Sequence, residues 1–291
     1  MTGDGHNPAW RDLPPNRRAD LARRMAVYAA MVEGMDRNIG RLVATLKEHG
    51  ELDNTLLVFL SDNGACAEWE PFGFDLKPTA PEELRPGHGI NGYTPGRPNH
   101  LHTGKELATM GGPGSLFSYG SAWANLSNTP LWLYKHYAHE GGIRTPMIVH
   151  WPARIREGGG IRSRLSHLMD LMPTCVEVSG ASYPKTHRNH KILPMEGRSL
   201  LPAIDGKPEG KRTLVFEHER NAALIEGEWK LVGKKVISKD RVIREGEWSL
   251  YHLASDPCEQ DDQISSQAER ATRMMDILEK EARRTLILPA P

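Results

Sequence analysis

An aspartate and an asparagine stand together at the end of a short apolar segment and offer oxygen atoms to a cation. Asp62 and Asn63 follow the run 54–60, which predicts a strand, and ligands of open α/β sheets bind where strands end. Carboxylate and amide oxygens suit a hard cation such as Ca²⁺ better than zinc. Two residues cannot supply the roughly six to eight oxygens that calcium needs. Because Ser-Asp-Asn-Gly is also favourable turn chemistry, a plain turn is the alternative.

A second candidate is the segment 134–146, which combines cationic side chains with a Gly-Gly turn before another apolar run. Lys135 lies close in sequence to the tight backbone at Gly141 and Gly142. A lysine in such a place can hold an anionic ligand and stabilise charge on a leaving oxygen. The alternative is a solvated basic loop in which His136 and His139 are ordinary surface histidines.

Three further features carry weaker signals. His218 closes a predicted strand and could face the same site from the C-terminal part, although a structural histidine is the more common role of such a residue. The His100-x-His102 pair could bind a metal, but an isolated pair in a polar loop is more often incidental. Asn125 begins a glycosylation sequon, a pattern too common to indicate secretion by itself.

The N-terminal elements that must position these residues form an α/β pattern. Apolar residues at alternating steps of four and three predict a helix of about seven turns whose apolar stripe covers a core. The stripe consists of Leu21, Met25, Tyr28, Val32, Met35, Ile39, Leu42 and Leu46. The runs 54–60 and 146–151 predict strands buried on both faces, as in a parallel sheet. Residues 64–128 lack periodicity, and 166–178 predict a helix kinked or broken at Pro173.

The C-terminal part has a different sequence pattern, in which short segments of alternating apolar and polar residues are separated by charged turns. Strands are expected at 213–218, 222–225, 229–232, 236–237 and 248–253, which indicates an antiparallel sheet. An amphipathic helix over 267–284 closes the chain. The predicted organisation is an α/β unit over residues 1–205 followed by a small α+β unit over residues 206–291.

The composition excludes several classes of protein. The 291 residues include 37 Lys and Arg against 37 Asp and Glu, so the formal net charge is zero. Nucleic-acid binding and a polybasic membrane patch are disfavoured, because both need a basic excess. No apolar run approaches the ~20 residues of a membrane span, and the first residues show no signal peptide. Cys66, Cys175 and Cys258 are too scattered for a disulfide framework or zinc cluster.

The order and spacing of these segments resemble the sulfatase family, in its arylsulfatase branch within the alkaline phosphatase-like superfamily. The resemblance extends from about residue 10 to residue 280. It rests on the segments 28–36, 52–64, 123–130, 135–146, 148–152, 170–174, 226–232 and 250–257. It implies an incomplete mixed sheet flanked by helices, followed by a small subdomain with an antiparallel sheet and a terminal helix.

The resemblance also implies a sulfuric ester hydrolase acting on small-molecule or glycan sulfate esters with one Ca²⁺. The family's formylglycine attacks sulfur beside that ion, and two of its four Asp/Asn ligands match Asp62 and Asn63. The lysine five residues before Glu-Gly-Gly, which contacts the sulfate, matches Lys135. His139 and His218 take the places of substrate-binding histidines. Members are often periplasmic, lysosomal or secreted, which leaves localisation open here.

This sequence departs from the family pattern in one major respect. No Cys/Ser-x-Pro-x-Arg motif for formylglycine occurs, and the other calcium ligands would precede residue 1. We therefore expect the C-terminal portion of a sulfatase, inactive without its nucleophile. One alternative is a non-catalytic remnant that binds a sulfated ligand or partner. Another is a related phosphoester hydrolase, although those relatives commonly carry Asp-His where Asp62-Asn63 stands.

Overall fold

The computed structural model describes residues 7–67, 71–73, 75–76, 100–113, 116–208, 210–244 and 247–289. Within these ranges the protein is a mixed α/β structure whose strands pair antiparallel. The helices are α1 (Pro15–Glu48), α2 (Lys105–Thr109), α3 (Ser121–Ser127), α4 (Glu140–Ile143), α5 (Leu171–Ser179), α6 (Leu201–Ile204) and α7 (Ala268–Arg284). The strands are β1 (Leu57–Leu60), β2 (Asp75–Leu76), β3 (Leu116–Phe117), β4 (Met147–His150), β5 (Thr186–His187), β6 (His190–Lys191), β7 (Thr213–His218), β8 (Asn221–Glu226), β9 (Trp229–Gly233) and β10 (Trp248–His252).

Helix α1 confirms the long predicted helix, but most of its apolar stripe does not cover a core. Pro15 opens the helix at a position where its missing N–H costs no hydrogen bond. Leu21 is buried, and Met25 packs against a small cluster around Tyr134. Farther along, the stripe is exposed at Tyr28, Val32, Met35, Ile39 and Leu42. The prediction of a covered stripe is therefore wrong beyond the first turns, because these side chains face solvent in the described chain.

The two apolar runs form a two-stranded sheet, although the predicted parallel, doubly buried arrangement is wrong. Strand β1 pairs antiparallel with β4, with Leu57 opposite His150 and Leu60 opposite Met147. Phe59 is 43% exposed and Ile148 is 62% exposed. The apolar run predicted a strand correctly, but such a run carries no information about its pairing direction.

The predicted helix over 166–178 divides at Asp170 rather than at Pro173. A 3₁₀ turn over Leu168–Asp170 leads directly into α5. Pro173 lies in the first turn of α5, where an N–H has no intrahelical partner to lose. The described parts of 64–128 contain β2, β3, α2 and α3, so this segment holds more structure than its irregular composition predicted. Residues 77–99 of that segment lie outside the described residues.

The C-terminal sheet confirms the predicted antiparallel arrangement. Its four strands follow the order β10-β9-β8-β7, and consecutive strands along the chain are neighbours. Helix α7 packs across one face, where its residues Met274 and Leu278 meet Leu224, Leu231 and Leu250 of the sheet. The segment 236–237 was predicted as a strand but contributes only an isolated bridge between Ile237 and Ile243.

No helix in the described ranges has both the length and the apolar character needed to cross a bilayer.

Candidate functional site

The predicted calcium ligands lie on an exposed turn immediately after β1. The Ser61 hydroxyl donates to the Asn63 carbonyl (2.9 Å), and the Thr145 hydroxyl donates to the Ser61 carbonyl (2.7 Å). The Asn63 side-chain amide donates to the Asp62 carboxylate across 2.6 Å. Both polar side chains therefore lie side by side on a turn that the 144–146 segment holds in place.

This turn rests directly on the Gly-Gly backbone of α4. The Gly64 N–H donates to the Gly142 carbonyl (2.9 Å). A Cβ added at Gly64 would lie 1.7 Å from the Gly141 carbonyl oxygen, so only glycine permits this approach. The Asn128 amide donates to the Leu133 and Gly141 carbonyls across 2.9 and 2.8 Å, which fixes the other side of the same backbone.

Lys135 lies on the segment that packs beside this turn. Its backbone N–H donates to the Ala65 carbonyl (3.0 Å), two residues beyond Asn63. Its Nζ is 3.7 Å from Cys66 Sγ. The structure thus brings the Asp62-Asn63 turn and the lysine segment together, although they are about seventy positions apart in sequence.

A buried ion cluster anchors α4 from the side of the C-terminal sheet. Lys230 Nζ lies 2.9 Å from Glu140 Oε1 and 2.8 Å from Glu259 Oε1, and all three side chains are at most 5% exposed. Glu259 also accepts the Glu140 backbone N–H across 2.9 Å. Burial raises the pKa of the Glu259 carboxyl despite the nearby lysine charge. This cluster is not visible in the sequence, because its members are separated by 90 and 29 positions and share no motif.

His139 is buried at the start of α4 and does not face solvent. Its ring meets the Trp132 ring edge-on, with centroids 4.7 Å apart. Burial, together with the charges of Lys230 and Lys234, lowers the pKa of His139 to about 2. The imidazole is therefore neutral at ordinary pH. The alternative that His136 and His139 are surface histidines is wrong, because both are at most 9% exposed.

His218 is exposed at the end of β7 and stacks on His136, with ring centroids 5.5 Å apart. It thus lies beside the residue that follows Lys135, across the predicted unit boundary. Glu219, in the turn between β7 and β8, approaches both rings. His218 was identifiable from the sequence, whereas its association with His136 and Glu219 depends on long-range packing.

The His100-x-His102 pair belongs to an ion network instead of a shared metal position. His102 Nδ1 lies 2.9 Å from Asp20 Oδ1, whereas His100 Nε2 lies 3.3 Å from Glu106. Arg24, fully buried, donates to the other Asp20 oxygen across 3.1 Å. The two histidines therefore contact different carboxylates, and the Arg24 guanidinium lies 3.5 Å from His102 Nδ1.

The donor chemistry of Asp62 and Asn63 fits a calcium ion in kind but not in number. Both offer hard oxygen donors, and Asp62 is exposed. The Asn63 amide nitrogen donates to Asp62 Oδ1, a bond that does not use the Asn63 side-chain oxygen. Further oxygen ligands are required to complete a calcium shell.

Family comparisons match both parts of the chain. The sulfatase family model matches residues 1–181. A second model, N-sulphoglucosamine sulphohydrolase, C-terminal, matches residues 130–285. The two matches overlap over residues 130–181, which include Lys135, α4 and β4.

Curated relatives are longer than this chain. An uncharacterized sulfatase from Schizosaccharomyces pombe is 31% identical over 258 residues, covering 85% of this chain and 41% of that protein. An arylsulfatase from Klebsiella aerogenes is 34% identical over 204 residues, covering 70% of this chain and 39% of that protein. The steryl-sulfatase of Rattus norvegicus is 29% identical over 203 residues, covering 70% and 26%. The chain thus spans less than half the length of these relatives.

Solved structures share the fold. The protein Ps i-CgsB superposes with a TM-score of 0.57 at 23% identity, covering 94% of this chain and 44% of that one. The PsFucS1 sulfatase from Pseudoalteromonas sp. superposes with a TM-score of 0.53 at 19% identity, covering 90% and 43%. At these identities the comparison establishes the fold alone.

Proposed function

Because this chain belongs to the sulfatase family, we propose that it carries part of the active site of a sulfuric ester hydrolase. The observation that supports this proposal is the packing of two loops. The Asp62-Asn63 turn contacts α4 through Gly64 and contacts Lys135 through Ala65. An oxygen-rich cation site beside a lysine is the arrangement needed to bind a sulfate group and to stabilise charge on its oxygens.

In this proposal each residue of the chain has a distinct role. Asp62 and Asn63 hold a Ca²⁺ ion together with ligands from elsewhere in the whole protein. When bound, the ion supplies positive charge to the sulfate oxygens. Lys135 Nζ binds the sulfate ester and stabilises negative charge on the leaving oxygen as the ester bond breaks. The formylglycine nucleophile is expected in the whole protein, outside the sequence of this chain.

The substrate class is a small-molecule or glycan sulfate ester. An arylsulfatase and a steryl-sulfatase are among the curated relatives. One solved neighbour is bound to k-i-k-neocarrahexaose, and another is bound to its substrate D-glucosamine-2-N,6-O-disulfate. These ligands are those of the neighbours. They make an aryl sulfate and a sulfated sugar the first two substrates to test.

Aryl-sulfate turnover tests the proposal. This chain and a version extended upstream to include a Cys/Ser-x-Pro-x-Arg sequence should be produced with a formylglycine-generating enzyme. We expect turnover only from the extended version. Lys135→Ala should reduce its kcat by about 10²–10³-fold, the usual cost of losing one charge-stabilising group. Lys105→Ala, at an exposed lysine of α2, is the matched control and should not change kcat.

Two results would reject the enzymatic proposal. One is an inactive extended protein in which mass spectrometry has confirmed formylglycine. The other is full activity in Lys135→Ala. Preferential turnover of an aryl phosphate over the aryl sulfate would instead favour the phosphoester hydrolase.

The absence of a formylglycine motif from the sequence supports one second candidate, a non-catalytic protein that binds a sulfated ligand. In that case this chain alone should bind a sulfated sugar measurably in calorimetry. Lys135→Ala should weaken that binding, whereas extension of the chain upstream should produce no turnover.

A further inference from the structure

Two histidines and a glutamate converge where the Lys135 segment meets the turn between β7 and β8. His136 Nδ1 lies 3.3 Å from Glu219 Oε1, and His218 Nε2 lies 3.9 Å from the same oxygen. One ligand atom from each of the three residues lies within 4.8 Å of the others. We propose that His136, His218 and Glu219 form a binding site for a divalent transition-metal ion of the zinc type.

The donor separations approach those of a tetrahedral metal site. Zinc binds nitrogen and oxygen at about 2.0–2.1 Å, which places neighbouring tetrahedral donors about 3.3–3.4 Å apart. The separation of His136 Nδ1 and Glu219 Oε1 already has this value. The separation of His218 Nε2 and Glu219 Oε1 must shorten by about half an ångström to reach it. His218 is 58% exposed, so its ring borders solvent on one side while it stacks on His136 on the other.

The backbone that carries the two histidines is held by a buried asparagine. Asn221, fully buried, donates its side-chain amide to the His136 carbonyl (2.7 Å) and to the His218 carbonyl (3.1 Å). Its side-chain oxygen accepts the Lys235 backbone N–H (3.0 Å). The two imidazoles are therefore brought together before any ion binds, which reduces the ordering cost of coordination.

The neighbouring lysine leaves one carboxylate oxygen for the ion. Lys235 Nζ lies 3.8 Å from Glu219 Oε2 and donates to the Glu219 carbonyl across 3.2 Å. The oxygen that faces both imidazoles is the other one, Oε1. The ammonium therefore orients Glu219 without occupying the position between the rings.

The chemistry of the donors selects the class of ion. Two imidazoles and one carboxylate suit zinc and related first-row ions, whereas calcium prefers an all-oxygen shell. Three protein ligands leave a fourth position for water or another ligand. The site therefore differs in donor type from the Asp62-Asn63 pair, and a metal bound here is additional to the calcium of the proposed sulfatase chemistry.

Cobalt and zinc titrations test the site directly. The metal-free chain should bind one equivalent of Co²⁺ with the intense visible absorption of a tetrahedral complex, and Zn²⁺ should displace it. His218→Asn and Glu219→Gln should each weaken binding by at least about tenfold to a hundredfold, because even the loss of a residue that only hydrogen-bonds to a metal ligand has an effect of that size. Both positions are exposed, and circular dichroism checks that the variants fold.

A second histidine pair provides the matched control. His187 and His190 face each other across the β5–β6 hairpin and are both exposed, so they represent adventitious binding. His187→Asn should leave the Co²⁺ spectrum and affinity unchanged. The proposal is overturned if folded His218→Asn and Glu219→Gln bind Co²⁺ as tightly as the unmodified chain. Loss of the spectrum in His187→Asn alone would also overturn it.

Discussion

Replacement of Lys230 by methionine should strongly destabilise the protein. The ammonium is fully buried and lies within 3 Å of two buried carboxylates, Glu140 and Glu259. Methionine fills similar space but removes the ammonium from both carboxylates, and Glu140 keeps only the more distant, half-exposed Arg144 at 3.5 Å. Removing one partner of a buried pair typically costs about 3–5 kcal/mol, and the presence of two carboxylates places the expected value toward the upper end. At about 1.4 kcal/mol per tenfold change, the unfolding equilibrium shifts by roughly 10²- to 10⁴-fold.

The pH dependence of this loss provides a second test. Burial raises the pKa of Glu259 above 4.5, and the Lys230 charge acts in the opposite direction. A carboxyl with a raised pKa in the folded state adds stability below its unfolded pKa of 4.5 and loses that contribution as pH rises through the folded value. Without Lys230 this pKa rises further. The deficit of Lys230→Met should therefore be smaller near pH ~5 than near pH ~8.

Urea unfolding followed by circular dichroism measures both effects. Lys207→Met is the matched control, because Lys207 is exposed and lies 3.2 Å from Asp205; its free energy of unfolding should change little. Adding Glu140→Gln and Glu259→Gln to Lys230→Met should restore part of the lost stability by removing the unpaired charges. A deficit below about 1 kcal/mol in Lys230→Met would refute the argument, because a solvated surface pair has that value.

Three other predictions concern the groups around the site. His139 should stay neutral from about pH 5 to pH 8 in ¹⁵N NMR, since its pKa of about 2 is far below 6.5. Its lowered pKa makes a contribution to stability that is present above pH 6.5 and is lost as pH falls toward the folded-state pKa. Asp170→Asn should lower the free energy of unfolding by about 3–5 kcal/mol, because the buried carboxylate accepts two Arg212 hydrogen bonds. Burial alone would raise the Asp170 pKa, but those hydrogen bonds lower it overall, so its contribution is present above pH 3.8 and is lost on further acidification. Gly64→Ala should destabilise the protein through its clash with the Gly141 carbonyl, whereas Gly34→Ala, in open space on α1, should stabilise it by about 0.5–1 kcal/mol in thermal or urea unfolding.

The sequence predicted the elements that depend on local patterns. Alternation predicted strands β7 to β10, and helical periodicity predicted α7 within one residue. Periodicity also predicted α1, but its 34 residues exceed the seven turns expected. The predicted parallel direction of β1 and β4 was wrong, because an apolar run indicates that a strand tends to be buried but not how it pairs with another strand. The prediction that the apolar stripe of α1 covers a core was wrong for the same reason, since periodicity does not show whether another element packs on Val32 or Ile39.

The candidate site was predictable only where residues act with their neighbours in sequence. Asp62, Asn63 and Lys135 were identifiable from turn chemistry, the Gly-Gly turn and the family resemblance, and their roles stay predictions. The packing of Gly64 on Gly142 and the clustering of His136 with Glu219 depend on contacts across about 80 positions. Spacing along the sequence does not predict such contacts. The role of a side chain such as Asn221 can therefore be recognised only in the folded chain.

The buried ion cluster that anchors α4 also predicts a pattern of substitutions among related sequences. Lys230 balances the charges of Glu140 and Glu259 in a buried cluster. A neutral residue at one of these three positions therefore changes which residues are tolerated at the other two. In an alignment of relatives these positions should therefore covary. Sequences with an apolar residue at 230 should lack one or both carboxylates. The residue that begins the Glu-Gly-Gly turn near Lys135 is thus constrained by Glu259, which lies 119 positions later in the sequence.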